Sequence, residues 1–171
     1  MVPVISVIGY QNSGKTKVIE NLLQDLINKG YRVGTIKHIS HHKYVDLPGK
    51  DSYRHAFAGA NPVIASGSKQ IAIFHSISKE MTLSKIIAEY AHNLDLILVE
   101  GYKKNITLPK ILVFSNGKIP VMHQKEKIIA IVQPTCNTIQ AKYRHVSTFK
   151  FSQIAKLTDL VEKLYLSKSL K

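Results

Sequence analysis

Residues 4–16 read Val4-Ile5-Ser6-Val7-Ile8-Gly9-Tyr10-Gln11-Asn12-Ser13-Gly14-Lys15-Thr16, and this stretch decides the fold. Val4 to Ile8 is a short apolar run, the pattern of a strand buried on both faces. Gly9 to Thr16 has the spacing G-x-x-x-x-G-K-[ST]. After it, Val18, Ile19, Leu22, Leu23, Leu26 and Ile27 recur at helical spacing, with Lys17, Glu20, Gln24 and Asp25 between them. That is an amphipathic helix with one apolar stripe. Gly30 suits the left-handed residue just past its end, and Tyr31 to Ile36 reads as a second strand. The chain therefore opens as strand, loop, helix, strand, a parallel unit with a right-handed crossover.

The loop residues have chemical reasons to stand where they do. Glycine lets the backbone curl tightly, so that N–H groups point inward at phosphate oxygens. The helix that follows adds the positive end of its dipole. Lys15 places a compact cation on the outer phosphates, and the Thr16 hydroxyl is a hard oxygen ligand for Mg²⁺. Gly9, Tyr10, Gln11, Asn12, Ser13, Gly14, Lys15 and Thr16 are thus expected to hold a nucleoside triphosphate.

Further along, Asp51 to Ala58 reads as a short helix, and Pro62 to Ala65 and Gln70 to His75 as strands joined at Ser66-Gly67-Ser68-Lys69. Leu83, Ile86, Ile87, Tyr90 and Ala91 mark a helix that Thr82 can cap. Leu94 to Val99, Ile111 to Phe114 and Ile128 to Val132 are strands, and Ser152 can cap a last helix carrying Ile154, Leu157, Leu160, Val161 and Leu164. Helices alternating with buried strands predict a three-layer α/β fold of the P-loop NTPase kind. Its central sheet is expected to be mainly parallel, with the 66–69 hairpin adding antiparallel pairing. There is no repeat, low-complexity tract or linker, so residues 1–171 are expected to form one P-loop nucleotide-binding domain.

Composition narrows the class. With 171 residues and 44% hydrophobic content, the chain can bury a core. Its single cysteine, Cys136, excludes an internal disulfide and a cysteine-built metal cage. No apolar run approaches the roughly 20 residues that cross a bilayer, and Met1-Val2-Pro3 lacks a basic leader. The expectation is a cytoplasmic protein with no membrane partner. Lys plus Arg is 24 against 11 acidic residues, a net charge of +13. Such a surface attracts nucleotides, phosphorylated metabolites, acidic proteins or nucleic acid. The lysines are scattered, without a basic block or an aromatic-basic signature, so nucleic acid is the least favoured of these.

A phosphate-bound Mg²⁺ needs a carboxylate at the C-terminal end of a strand beside the loop. Glu100 fits, following Leu96-Ile97-Leu98-Val99 and preceding Gly101. Asp95, at the other end of that strand, is read as a cap or salt-bridge residue. A second cluster, Asp46-Leu47-Pro48-Gly49-Lys50-Asp51-Ser52-Tyr53-Arg54-His55, combines carboxylates, cations and a hydroxyl. Asp51 either completes the metal shell or orients water, with Lys50 and Arg54 neutralising phosphate, or else Asp51 or Ser52 simply caps a helix. His38, His41 and His42 lie in a stretch that does not read as helical, so a loop is the better account of them than a metal site.

The loop Gly9–Thr16, the run from Lys37-His38 through Gly49-Lys50-Asp51-Ser52-Tyr53-Arg54-His55, Ala58-Gly59-Ala60 and Leu98-Val99-Glu100-Gly101-Tyr102-Lys103 occur in that order. Together they resemble the molybdopterin-guanine dinucleotide biosynthesis protein B (MobB) family. The phosphate loop is shared by many NTPases; the second and last runs are much more specific. The resemblance covers residues 2–115 well. It implies a P-loop protein that binds GTP with Mg²⁺, hydrolyses it weakly, forms homodimers and assists the guanylyltransferase that joins GMP to molybdopterin. Carried onto this chain, it implies that Thr16, Asp51 and Glu100 surround the magnesium, and that Lys15, Asp51 and Glu100 serve hydrolysis. Lys50, Arg54 and Lys103 become contacts for GTP or for an anionic molybdenum cofactor intermediate. The chain departs from the pattern after Ile128–Val132, where Gln133-Pro134-Thr135-Cys136-Asn137 lacks the polar pair expected to meet the base. It also has no Asn-Lys-x-Asp guanine signature.

The leading expectation is thus a GTP-binding accessory protein of molybdenum cofactor biosynthesis. No arginine finger is evident in cis, and lacking one costs on the order of 10³–10⁵ in rate, so turnover in isolation should be slow. The alternative is a small-molecule kinase using ATP or GTP, with Asp51 as base and Lys50 and Arg54 as phosphate clamps.

Overall fold

The apolar run Val4–Ile8 forms β1 inside a six-stranded sheet. The structure, a computed structural model, describes residues 2–39, 44–115, 126–134 and 143–166. The remaining strands of the sheet are β2 (Val33–Lys37), β5 (Leu96–Glu100), β6 (Lys110–Val113), β7 (Ile128–Gln133) and β8 (Ser147–Lys150). They lie in the order β2-β5-β1-β6-β7-β8, and every pairing in the sheet is parallel. The expected antiparallel pair exists, but as a separate two-stranded sheet of β3 (Val63–Ser66) and β4 (Ile71–Phe74). The reason is local: a tight turn returns a strand only in the opposite sense, whereas parallel neighbours need a crossover.

Contacts within the chain gather into two units, residues 1–38 with 91–171, and residues 39–90. In the first, successive residues of the central strands are buried on both faces, as near-continuous apolar runs require. Ile5, Val7, Leu96, Leu98, Ile111, Val113, Ala130 and Val132 belong to one core, with α1 (Lys15–Asn28) and α4 (Ile154–Val161). Ile8, Leu112, Phe114 and Ile131 belong to another, with Tyr143 and Val146. This period of two is what strand geometry imposes. Helix α1 turns Val18, Ile19, Leu22 and Leu26 into the first core, against Leu157 and Val161 of α4. Polar bonds join the same pair of helices. Thr158 Oγ1 donates to Asp25 Oδ2 at 2.9 Å, and Lys29 Nζ reaches Asp159 at 2.8 Å and Glu162 at 2.6 Å. Helix α1 stops where expected, with Gly30 at φ 90°.

The start of α4 differs from expectation. Ser152 is not its cap, because the chain enters through a 3₁₀ turn, Phe151–Gln153, and α4 begins at Ile154. Gln153 Oε1 accepts instead from the Lys150 N–H at 2.9 Å. Past Val161 the helix loosens into a π-type turn, Glu162–Leu166.

The second unit holds α2 (Asp51–Phe57), the β3–β4 hairpin and α3 (Leu83–Tyr90). Thr82 caps α3 as predicted, its Oγ1 accepting from the Lys85 N–H at 3.3 Å. In sequence this unit lies between β2 and β5, which are hydrogen-bonded neighbours in the sheet. No described helix is long and apolar enough to cross a membrane.

Candidate functional site

Gly9 to Gly14 link the C-terminal end of β1 to the first turn of α1. The backbone curls through two left-handed residues, Asn12 at φ 58° and Gly14 at φ 92°. Asparagine tolerates that region better than most residues, and glycine enters it freely. Ser13 N donates to the Tyr10 carbonyl at 3.3 Å, which closes the turn, and Val18 N donates to Gly14 at 3.1 Å, which starts the helix. The earlier N–H groups of α1 have no carbonyl four residues back within the helix, so they remain donors for an anion.

Two further features fit an anionic oxygen. The Ser13 hydroxyl is buried and has no hydrogen-bond partner among the described residues. Gly9 lets the loop backbone pack closely: a β-carbon there would meet Ser13 Oγ at 2.5 Å and the Val113 carbonyl oxygen at 2.0 Å, so a side chain would displace the loop and its hydroxyl. A buried hydroxyl left unbonded costs free energy, and a phosphate oxygen would satisfy it. Lys15 Nζ turns back onto the loop and donates to the Tyr10 carbonyl at 2.7 Å. Gly14 is enclosed on its other side by the Phe151 ring, 2.8 Å from where a β-carbon would stand.

Beside the loop stands β5. Its register pairs Val7 with Glu100, which sets Glu100 at the strand end next to Gly9, as predicted. Lys37 Nζ lies 3.8 Å from its carboxylate. Asp95, at the opposite end, forms the predicted salt bridge, with Arg32 at 3.0 Å. After Glu100 the chain turns sharply through Gly101 at φ 101° and Tyr102 at φ 52°. An aromatic residue in the left-handed region carries strain, a feature that recurs at functional sites. The Tyr102 ring lies against that of His38, centroids 4.5 Å apart. Lys103 follows, its Nζ 5.9 Å from the centroid of the Tyr10 ring. The first unit therefore brings together Gly9–Thr16, Glu100 and Lys103. Thr16 and Glu100 offer hard oxygen donors, the chemistry that Mg²⁺ takes.

Lys50, Asp51 and Arg54 belong to the second unit. Neither Asp51 nor Ser52 caps α2: Lys50 occupies the N-cap position with no side-chain cap, and both candidates lie inside the helix. Arg54 approaches Asp51 at 3.6 Å, with both side chains largely exposed. Tyr53 stacks on Phe57 at 6.3 Å and takes the edge of Tyr44 at 5.5 Å. His41, His42, Cys136, Asn137 and Thr138 lie outside the described residues.

Sequence reasoning missed Ser6, Lys110 and Phe151. Ser6 Oγ donates to the Gly101 carbonyl at 2.7 Å, and Lys110 Nζ donates to the Lys103 carbonyl at 2.9 Å. The available signal was a polar residue inside each of two apolar strands.

A parallel sheet with a glycine-rich loop between its first strand and first helix defines an α/β protein of the P-loop type. A family model described as molybdopterin guanine dinucleotide synthesis protein B (MobB) matches residues 4–134. The chain belongs to that family. It is 39% identical over 112 residues to the molybdopterin-guanine dinucleotide biosynthesis adapter protein of Haemophilus influenzae, covering 65% of this chain. That match spans 62% of the Haemophilus protein, less than two thirds of its length. The adapter protein of Escherichia coli is 33% identical over 132 residues, covering 75% of this chain and 73% of its own. The crystal structure of Bacillus subtilis MobB has a TM-score of 0.75 at 26% identity, covering 96% of this chain and 99% of that one.

Proposed function

We propose that the chain is a GTP-binding adapter protein of molybdopterin-guanine dinucleotide biosynthesis. In this reading it acts in the cytoplasm, hydrolyses GTP slowly and assists the guanylyltransferase that handles the anionic pterin. The observation that carries nucleotide binding is the loop itself: an orphaned Ser13 hydroxyl, a close backbone approach that only Gly9 permits, and Lys15 turned back onto the loop. Thr16 and Glu100 would hold Mg²⁺, and the bound ion would neutralise charge on the outer phosphates. Lys103 supplies a cation for the nucleotide or the pterin. The adapter role rests on family membership and on the names of the Haemophilus and Escherichia relatives.

A homodimer belongs to the same reading. On β3–β4 the register places Ile64 opposite Ile73, and Ile71 shares their face. All three are at least 60% exposed, an unpartnered apolar face of the kind that marks an interface.

Calorimetry with GTP and ATP, with and without Mg²⁺, tests the nucleotide reading. GTP with Mg²⁺ should bind most tightly, and Lys15→Ala should weaken it at least tenfold. Equal affinity for ATP would remove the guanine preference, and failure of both triphosphates at millimolar concentration would remove the proposal.

A further inference from the structure

The sheet that carries the phosphate loop is apolar except at a few positions, and two of them are register partners. Ser6 of β1 stands opposite Lys110 of β6, and both are fully buried. A lysine in such a place is costly unless its charge is paired and its donors are used. Lys110 Nζ meets Glu126 Oε2 at 3.0 Å, with that side chain 2% exposed. It also donates to the Lys103 carbonyl at 2.9 Å. Ser6 Oγ holds the Gly101 carbonyl, two residues earlier, at 2.7 Å. Both buried polar groups thus act on one short turn, the strained Gly101-Tyr102-Lys103 that leaves β5.

That turn reaches the phosphate loop. Lys103 Nζ stands over the Tyr10 ring, and the Tyr10 carbonyl accepts from Lys15 Nζ. A continuous series of contacts therefore runs from Glu126 through Lys110 and Lys103 to Tyr10 and Lys15. A flexible lysine side chain loses about 2 kcal/mol of rotamer freedom when fixed, so a cation serves an anion best when its backbone is already held in place.

We propose that Lys110, fixed by Glu126 and aided by Ser6, is a positioning residue that holds Lys103 over the phosphate loop as a cation for the outer phosphates. This rests on the nucleotide-binding reading above. Lys110 touches no ligand and acts only through Lys103.

The test is a cycle. Lys110→Met alone would remove the ammonium that pairs the buried Glu126 carboxylate, so the background is the pair Lys110→Met with Glu126→Met, which replaces this ion pair with apolar groups of similar volume. In the wild type, Lys103→Ala should raise the Kd for Mg²⁺·GTP about fivefold, the loss of one partly solvated cation contact. The paired background should itself show about that loss, and adding Lys103→Ala to it should change Kd less than twofold. Independent, additive losses, or wild-type affinity in the paired background, would overturn the proposal.

Amide exchange without nucleotide gives a second readout. The Asn105 amide, bonded to the Tyr102 carbonyl at 2.9 Å, should exchange at least tenfold faster in the paired background, while Ile97 in β5 keeps its protection. Unchanged protection at Asn105 overturns the proposal. Glu126→Gln, which keeps an acceptor but removes the charge that pairs Lys110, should move both readouts in the direction of the paired background, and wild-type behaviour in both would overturn the role given to Glu126. If the wild type binds no triphosphate, the nucleotide reading fails, while the exchange data still decide whether Lys110 orders the turn.

Discussion

A β-carbon at Gly9 would stand 2.0 Å from a backbone oxygen of β6, and no rotamer can relieve that clash because the oxygen belongs to the sheet. Gly9→Ala should therefore cost about 1–3 kcal/mol in urea melts, as overpacking does, and should weaken triphosphate binding more than tenfold in calorimetry. Gly30 is the control. Its φ is 90°, but nothing lies within 4 Å of an added carbon, so Gly30→Ala should cost about 1 kcal/mol and leave nucleotide affinity unchanged. At this scale the loop was legible because phosphate chemistry fixes both residue type and spacing. Ser6 and Lys110 were not. A serine in a strand reads as a small filler and a lysine at a strand edge as surface charge. Ser6 meets a carbonyl 95 residues away, and Lys110 meets a carbonyl and the Glu126 carboxylate only through the fold. Phe151 was hidden for the same reason, since it meets Gly14 only through the fold.

Helix α1 and the last helix are joined by ion pairs as well as by packing. The Glu162 carboxyl is held below its ordinary range first by the hydrogen bond from Lys29 and then by that from Tyr31. A depressed carboxylate adds stability that is present above its unfolded value and is lost as pH falls through the folded one. Glu162→Gln should thus destabilise the protein by about 1 kcal/mol near neutral pH, and the difference should shrink in acid as pH falls through the lowered range in which the folded wild-type carboxyl takes up its proton. Thermal or urea melts at neutral and acid pH check this; an equal deficit at acid pH would assign the effect to packing. Elements with a strong period, such as α1 and β5, were legible. Strand β8, Ser147-Thr148-Phe149-Lys150, was not predicted: it is short, carries one large apolar residue and lies on the sheet edge, where burial imposes little pattern.

For the whole molecule, charge and apolar surface pull in opposite directions. A net charge of +13 keeps copies of the chain apart at long range, so the proposed homodimer needs a short-range contact strong enough to prevail, and in that proposal the exposed isoleucines of β3–β4 would supply it. Ile73→Asp should convert the dimer to monomer at micromolar concentration in sedimentation velocity, because a two-fold contact would bury the new charge twice. Raised salt should strengthen the wild-type dimer by screening the lysines. A wild type that sediments as a monomer at all salt concentrations would remove the homodimer from the proposed function.

The chain leaves the sheet after β2 and comes back in the strand that β2 is bonded to. Whatever is built between those two points is therefore a detour from a seam already closed. Residues added to or removed from that excursion need not shift the register of β2 against β5.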